Sequence, residues 1–300
     1  MLDFRRLTRL KTLWILIVLV LVIGLCLLAY SYYSKPVEGE VNVCSHLSDF
    51  DSQTISYLID LRVRWVRTDW MITADNSMRN YSQILQDNNI SLLTIIDINT
   101  FGNQSLTLEE WNNTVTEVVN SEGFNNTDAV EIWNEPNSIA FVQPETYYEM
   151  LKSAYTIIKN YTAIPVVFAG VSPNVPNWQT YLTAVFAYND IQDYFDYMGI
   201  HLYDDMATNL NTLQFVKGLT SKQIWLTETG KPTENNDETV QAEYLRSIYS
   251  TFKPLVSKIF IYELKDGYGA SPEKENHFGL LTLEGTKKEA YEVIWNIGRK

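Results

Sequence analysis

Glu135 stands in Trp133-Asn134-Glu135-Pro136, directly after the apolar run Ala129-Val130-Glu131-Ile132. Such a run reads as a short buried strand. A carboxylate just past its end faces a mouth rather than a core. Glu228 has a matching setting, where Gln223-Ile224-Trp225-Leu226-Thr227 runs into Glu228-Thr229-Gly230. Two glutamates opposed across a cleft suit glycoside hydrolysis. One holds a proton for the leaving oxygen, and the other stays ionised to attack the anomeric carbon. Environment splits the two pKa values, and neither task needs a metal. The three His residues are too few and too scattered for a zinc site. No cofactor is expected.

These positions depend on the elements around them. From residue 41 short apolar runs alternate with longer amphipathic ones. The strands read as Val41–Cys44, Val63–Arg67, Ser91–Asp97, Val130–Trp133, Pro165–Ala169, Tyr197–His201, Gln223–Thr227 and Lys258–Tyr262. The helices between and after them read as Ser52–Leu61, Ser77–Asp87, Thr107–Ser121, Glu145–Lys159, Trp178–Tyr188, Asn209–Lys217, Asp237–Phe252 and Lys287–Ile297. Thr107-Leu108-Glu109-Glu110 is a capping box, and Pro144 suits a first helical turn. Continuous apolar strands are buried on both faces. Eight such βα units predict an α/β fold, a single (β/α)8 TIM barrel over 41–300, with active residues at the C-terminal strand ends. No long insertion interrupts the pattern, so a fairly open cleft is expected.

Composition narrows the partners. The chain of 300 residues is 46% hydrophobic and 20% charged, with a net charge of −13, which gives ample material for one large core. Arg5, Arg6, Arg9 and Lys11 precede an almost unbroken Leu/Ile/Val run, Leu13–Ala29. That run is long enough to span a bilayer as a helix, with its cationic flank in the cytoplasm. The expected organisation is a basic cytoplasmic tail (1–12), a transmembrane anchor (13–30), a linker (31–40) and an extracytoplasmic barrel. The alternative is secretion after signal cleavage. The remaining chain is more acidic still and should repel nucleic acid. Six Asn-x-Ser/Thr sequons, at Asn80, Asn89, Asn103, Asn112, Asn125 and Asn160, agree with an outside location and a glycoprotein. Two cysteines, Cys26 and Cys44, make no disulfide framework.

The strand ends gather polar and aromatic groups at one rim. They are His46, Arg67, Asp69, Trp70, Asp97, Asn99, Asn134, Glu135, Ser172, Asn174, His201, Tyr203, Glu228, Tyr262 and Glu263. That is the composition of a carbohydrate site. Each residue also has a plainer use. Glu135 could cap a loop, Glu228 could open a helix, Arg67 could form a rim salt bridge and His201 could be a satisfied core histidine. Trp70, Tyr262 and Trp178 are either sugar platforms or packing. Asp97 and His46 read as structural or solvated.

Asn-Glu-Pro after strand four and Glu-Thr-Gly after strand seven resemble the clan A retaining glycoside hydrolases. Val63-Arg64-Trp65-Val66-Arg67-Thr68-Asp69 is similar to strand two of families 39 and 5. So is the closing His277-Phe278-Gly279-Leu280-Leu281 with Lys287-Lys288-Glu289-Ala290-Tyr291. The resemblance spans nearly all of 41–300. It implies Glu135 as acid/base, Glu228 as nucleophile and Asn134 as partner of the sugar 2-hydroxyl. It implies Arg67 beside Glu228, and His201 and Tyr203 lining the subsite, with Tyr203 bonded to Glu228. Trp70 and Tyr262 join the expected substrate-binding set. Strand eight departs from the pattern, with Tyr262 and Glu263 where many members carry Trp. The expected function is hydrolysis of β-glycosidic bonds in an oligo- or polysaccharide. The rivals are a catalytically silent glycan-binding surface protein and a transglycosylase using the same glutamates.

Overall fold

A computed structural model describes residues 40–47, 50–101, 107–138, 140–233, 237–267, 269–270 and 272–299. The expected tail, anchor and nearly all of the linker lie outside the described residues, as does Asn103. Among the described residues no helix is long and apolar enough to cross a membrane.

Eight parallel strands close into a barrel in sequence order. They are β1 (Val41–Cys44), β2 (Val63–Asp69), β3 (Ser91–Ile96), β4 (Ala129–Asn134), β5 (Val166–Val171), β6 (Tyr197–His201), β7 (Ile224–Thr229) and β8 (Lys258–Ile261). The helices that follow them are α1 (Ser52–Asp60), α2 (Asp75–Asp87), α3 (Leu108–Asn120), α4 (Pro144–Tyr161), α5 (Trp178–Val185), α6 (Met206–Leu219), α7 (Glu238–Phe252) and α8 (Glu289–Ile297). A single helical turn, Ile98–Phe101, lies in the loop after β3. The apolar runs become strands because both faces are covered, by the barrel interior within and by the helices without. β5 and β7 are buried at every position.

The barrel interior is filled rather than hollow. Cys44, Leu93, Ala129, Val167, Trp225 and Phe260 form one buried cluster. Near the N-terminal strand ends, Tyr197 stacks on Trp225 at 4.5 Å, and the Lys258 ammonium lies 4.4 Å from the Trp65 ring centroid. This aromatic layer closes the barrel opposite the mouth. The capping box forms as expected: Glu110 N donates to Thr107 Oγ1 at 3.2 Å, and Thr107 N donates to Glu110 Oε2 at 2.8 Å. Pro144 opens α4, where its missing N–H costs no helical hydrogen bond.

Most differences from the expected boundaries have one cause. The apolar run gives out before the ladder, which continues while neighbouring strands supply partners. β2 therefore runs past Arg67 to include Asp69, and β7 runs past Thr227 to include Glu228, whose carbonyl accepts from Leu202 N at 3.0 Å. α6 begins earlier than expected because Asp205 caps it, accepting from Ala207 N and Thr208 N. The expectation of no long insertion is corrected at the end of the chain. The segment between β8 and α8 folds over the rim, paired through Leu281 with Lys265 and Lys287. It adds Pro272, Lys274, Glu275 and Phe278 to the cleft wall.

A buried cation holds that segment down. Lys288 Nζ donates to Asp266 Oδ1 at 2.7 Å, to Thr233 Oγ1 at 2.9 Å and to the His277 carbonyl at 3.3 Å. Asp266 Oδ1 also accepts from Gly279 N at 2.8 Å. Removing one member of such a pair strands the other charge. Lys288→Met is expected to cost about 3–5 kcal/mol of unfolding free energy, read from urea denaturation. Wild-type stability in that variant would contradict this account of the loop.

Candidate active site

Arg67 lies at the centre of the mouth, buried, and each arm of its guanidinium has a partner. Nε donates to Glu131 Oε2 at 2.6 Å, Nη1 to Glu228 Oε1 at 2.6 Å and Nη2 to Asn134 Oδ1 at 3.0 Å. A planar fork meets two carboxylates and an amide at once. The closed barrel makes this possible by pointing residues of three separate strands to one interior: β2 supplies Arg67, β4 supplies Glu131 and Asn134, and β7 supplies Glu228.

β4 ends in an unusual backbone. Trp133 has φ 72° and Glu135 φ 43°, both in the left-handed region that non-glycine residues rarely adopt. The turn is held by Glu135 N donating to Gly170 O at 3.0 Å and Ser138 N donating to Glu135 O at 2.9 Å. Trp133 Nε1 reaches the Ala140 carbonyl at 3.3 Å. The kink takes Glu135 out of strand alternation and directs it toward Glu228.

His201 joins the two glutamates. Its buried Nδ1 lies 2.9 Å from Glu135 Oε1 and 3.3 Å from Glu228 Oε2. Gly170 leaves room for the ring, since a Cβ there would lie 2.0 Å from Nε2. Tyr203 donates its hydroxyl to Glu228 Oε2 at 2.6 Å. One oxygen of Glu135 lies within 4.8 Å of one oxygen of Glu228. Retaining glycosidases place the two carboxyl groups about 5–5.5 Å apart, and inverting ones about 6.5–9.5 Å to admit a water.

The electrostatics distinguish Glu228. Burial pushes its carboxyl up, but the charges of His201 and Arg67 and the hydrogen bonds from Tyr203 and Arg67 bring it below the usual glutamate range. Burial pulls the His201 imidazole down, yet Glu228 and Glu135 together raise it. With Nδ1 protonated, one N–H serves both carboxylates. Burial and the nearby Glu228 charge keep the Tyr203 phenol protonated as a donor.

A second acidic group lies beside the site. His46 Nε2 is 3.0 Å from Glu263 Oε2, and His46 Nδ1 is 4.0 Å from Asp69 Oδ2. Burial and the neighbouring Asp69 push Asp97 up to about 8. Asp97 caps the turn after β3, accepting from Asn99 N at 2.8 Å.

A cleft of about 940 Å³ opens over these groups. Of the expected residues, Arg67, Asn134, Glu135, Tyr203, Glu228 and Tyr262 line it, and His201 lies between the two glutamates. Tyr262 meets Phe278 edge-on, with ring centroids 5.5 Å apart. Trp70 is a correction. It is fully buried and packs edge-on against Phe124 at 6.0 Å, away from the cleft residues. Because β2 runs on to Asp69, the side chain after it turns outward to the helix layer. Trp178 packs against Phe215 at 5.1 Å. Glu131 was not singled out by the sequence reasoning. Its signal is a single charged residue inside an otherwise apolar strand, where burial demands a partner.

The described residues form a closed βα barrel with two glutamates at the C-terminal ends of β4 and β7. Residues 52–274 match the glycosyl hydrolase catalytic core family, and the chain belongs to that family. Among solved structures it is similar to a family 39 glycoside hydrolase from Bacteroides cellulosilyticus, with TM-score 0.70 and 20% identity over 89% of this chain. The chain spans 64% of that enzyme's length. A subfamily 18 member of family 5 from Streptomyces cattleya, in complex with GlcNAc, has TM-score 0.60 and 13% identity, over 87% of this chain and 80% of that one. A family 128 endo-β-1,3-glucanase from Amycolatopsis mediterranei, in complex with laminaripentaose, has TM-score 0.59 and 17% identity, over 86% of this chain and 99% of that one. No curated protein matches the chain.

Tyr203→Phe tests the electrostatics. It removes a hydrogen bond to ionised Glu228, of a kind worth about 1.5–3 kcal/mol, which corresponds to about one to two pH units. The expected role of Glu228 as nucleophile requires its charged form, so activity is expected to be lost as pH falls through its pKa. The acid limb of kcat/KM should move up in the variant. An unmoved limb would contradict the assignment of that hydrogen bond to the ionised form.

Proposed function

We propose that the chain is a retaining β-glycoside hydrolase in which Glu228 is the nucleophile and Glu135 the acid/base. The observation that carries the reading is the contrast between the two carboxylates. Glu228 is 9% exposed and held by Arg67, Tyr203 and His201, whereas Glu135 is 25% exposed and bonds His201 alone among these three. A fixed anion suits attack at the anomeric carbon. A carboxyl open to the cleft suits a proton exchanged with a leaving group and then with water.

In the first step a Glu228 oxygen bonds to the anomeric carbon as the glycosidic bond breaks. The Glu135 proton passes to the departing oxygen. In the second step Glu135 takes a proton from water, whose oxygen attacks the same carbon and releases Glu228. Two displacements return the original anomeric configuration. Asn134, held by Arg67 beside Glu135, is assigned to the sugar 2-hydroxyl. Tyr262 and Phe278 offer ring surface on the opposite wall. A cleft of about 940 Å³ lined by both polar and aromatic groups favours an oligo- or polysaccharide, as does the laminaripentaose complex of the family 128 neighbour.

The location is part of the proposal. The Leu13–Ala29 run with its preceding cations is read as a single-pass anchor, with the barrel outside. Of the sequons, Asn80, Asn89, Asn125 and Asn160 are exposed and Asn112 is half-buried, which is compatible with glycan attachment.

Glu135→Ala gives the test. Removing a general acid/base is expected to cost about 10²–10⁴-fold in hydrolysis. The loss should be smaller in bond cleavage for aryl glycosides with acidic leaving groups, which need no proton. Added azide should restore turnover and yield a glycosyl azide of retained configuration, by entering the space the carboxyl vacated. Full hydrolysis by the variant, or no rescue with any activated glycoside, would refute the role of Glu135.

A further inference from the structure

Glu131 is buried in the middle of β4 and makes two contacts that the proposed mechanism has not used. Oε2 accepts from Arg67 Nε at 2.6 Å. Oε1 accepts from the backbone N–H of Gly170 at 2.7 Å. The first contact holds the guanidinium whose other end grips Glu228. The second holds the residue whose carbonyl accepts from Glu135 N and whose missing Cβ makes room for His201. We propose that Glu131 is a positioning residue that ties the two glutamates to one framework, acting on Glu228 through Arg67 and on Glu135 through Gly170. This inference rests on the assignment of those two glutamates as the reacting pair.

The chemistry of burial supports it. A buried ion pair is often no more stabilising than apolar residues of similar volume, because desolvation offsets the attraction. The neighbouring β4 residues Ala129, Val130 and Ile132 show that the strand packs well with apolar side chains. A carboxylate at 131 therefore needs a reason other than stability. The kink at Trp133 takes the chain out of regular strand geometry, and Gly170 N bonds to the Glu131 side chain beside it. Glu131 thus satisfies the donor next to the kink that aims Glu135, and with its other oxygen fixes the cation beside Glu228.

Several charged and titratable groups face this centre. Around Glu228 stand Cys44 from β1, Arg67 and Asp69 from β2, Glu135 just past β4, His201 from β6, Tyr203 just past it and Tyr262 after β8. Glu131 itself is faced by Arg67, by Cys44 and by Tyr147 of α4, whose hydroxyl donates to Ile132 O at 3.1 Å. Arg67 is the cation common to both carboxylates. Removing the Glu131 charge leaves Glu228 as the sole ion-pair partner of Arg67 among the described residues and removes a like charge from its surroundings. Both changes favour the ionised form of Glu228.

The test is the pH profile of kcat/KM for Glu131→Gln on an aryl β-glycoside that the wild-type chain hydrolyses. The amide keeps the shape and can still accept from Gly170 N, but its NH2 cannot accept from Arg67 Nε. The plateau should fall by between about tenfold and 10²-fold, as for a misplacement of the order of 1 Å. The acid limb should move down by about half a unit or more. A wild-type plateau overturns the proposal, whatever the acid limb does. Glu131→Asp serves if the amide variant does not fold. It keeps the charge but is one methylene too short for both contacts, so its plateau should fall at least about tenfold, and a wild-type plateau overturns the proposal. A wild-type chain with no activity on any glycoside fails the underlying assignment first, before any variant is made.

Discussion

A guanidinium buried between two carboxylates governs this active site. Arg67 cannot lose its proton and cannot stay unpaired out of water, so the strands around it must supply anions and acceptors at fixed places. Glu131, Asn134 and Glu228 are those partners. The same requirement produces chemistry. A carboxylate held by Arg67, His201 and Tyr203 remains charged despite burial, and a charged, partly desolvated carboxylate is a competent nucleophile. Electrostatic order is built in before substrate arrives.

Geometry then separates the two glutamates. Glu228 lies within β7, opposite His201 of β6 and next to Thr229, which pairs with Ile261 of β8, at a point where the register to both neighbours shifts. Glu135 follows a left-handed kink and projects from a loop. A left-handed conformation at two non-glycine residues costs of order 1–3 kcal/mol each, and it is kept by bonds to Gly170, Ser138 and Ala140. The rigid position suits an attacking atom, and the looser one suits a group that must face first a leaving oxygen and then water. Gly170 serves both sides, since it bonds to the Glu135 backbone and leaves space for the His201 ring between the carboxylates.

The fold was largely legible because a βα barrel writes each strand as an unbroken apolar run with a polar group at its end. Eight such runs, counted in order, placed Glu135 on the fourth and Glu228 on the seventh, and the expected Arg67 and Tyr203 contacts with Glu228 are present. What was not legible involved direction and distance. Trp70 follows a strand like the other rim residues, but β2 is longer than its apolar part, so the ring points to the helix layer. Glu131 passed as part of an apolar run because hydropathy averages over neighbours. The segment between β8 and α8 showed its likeness to families 39 and 5 but not its place over the rim, because its Lys288–Asp266 pair joins residues 22 apart in sequence. Pairings of that kind are absent from any local pattern.

The central claim is that Glu228 becomes covalently attached to the sugar. A 2-deoxy-2-fluoro β-glycoside with a good leaving group slows release of the glycosyl-enzyme more than its formation. Mass spectrometry of the digested protein should find one fluoroglycosyl group, on the peptide containing Ile224–Thr229 and localised to Glu228. A label on a different carboxylate, or rapid turnover through inversion with no trapped species, would contradict the account.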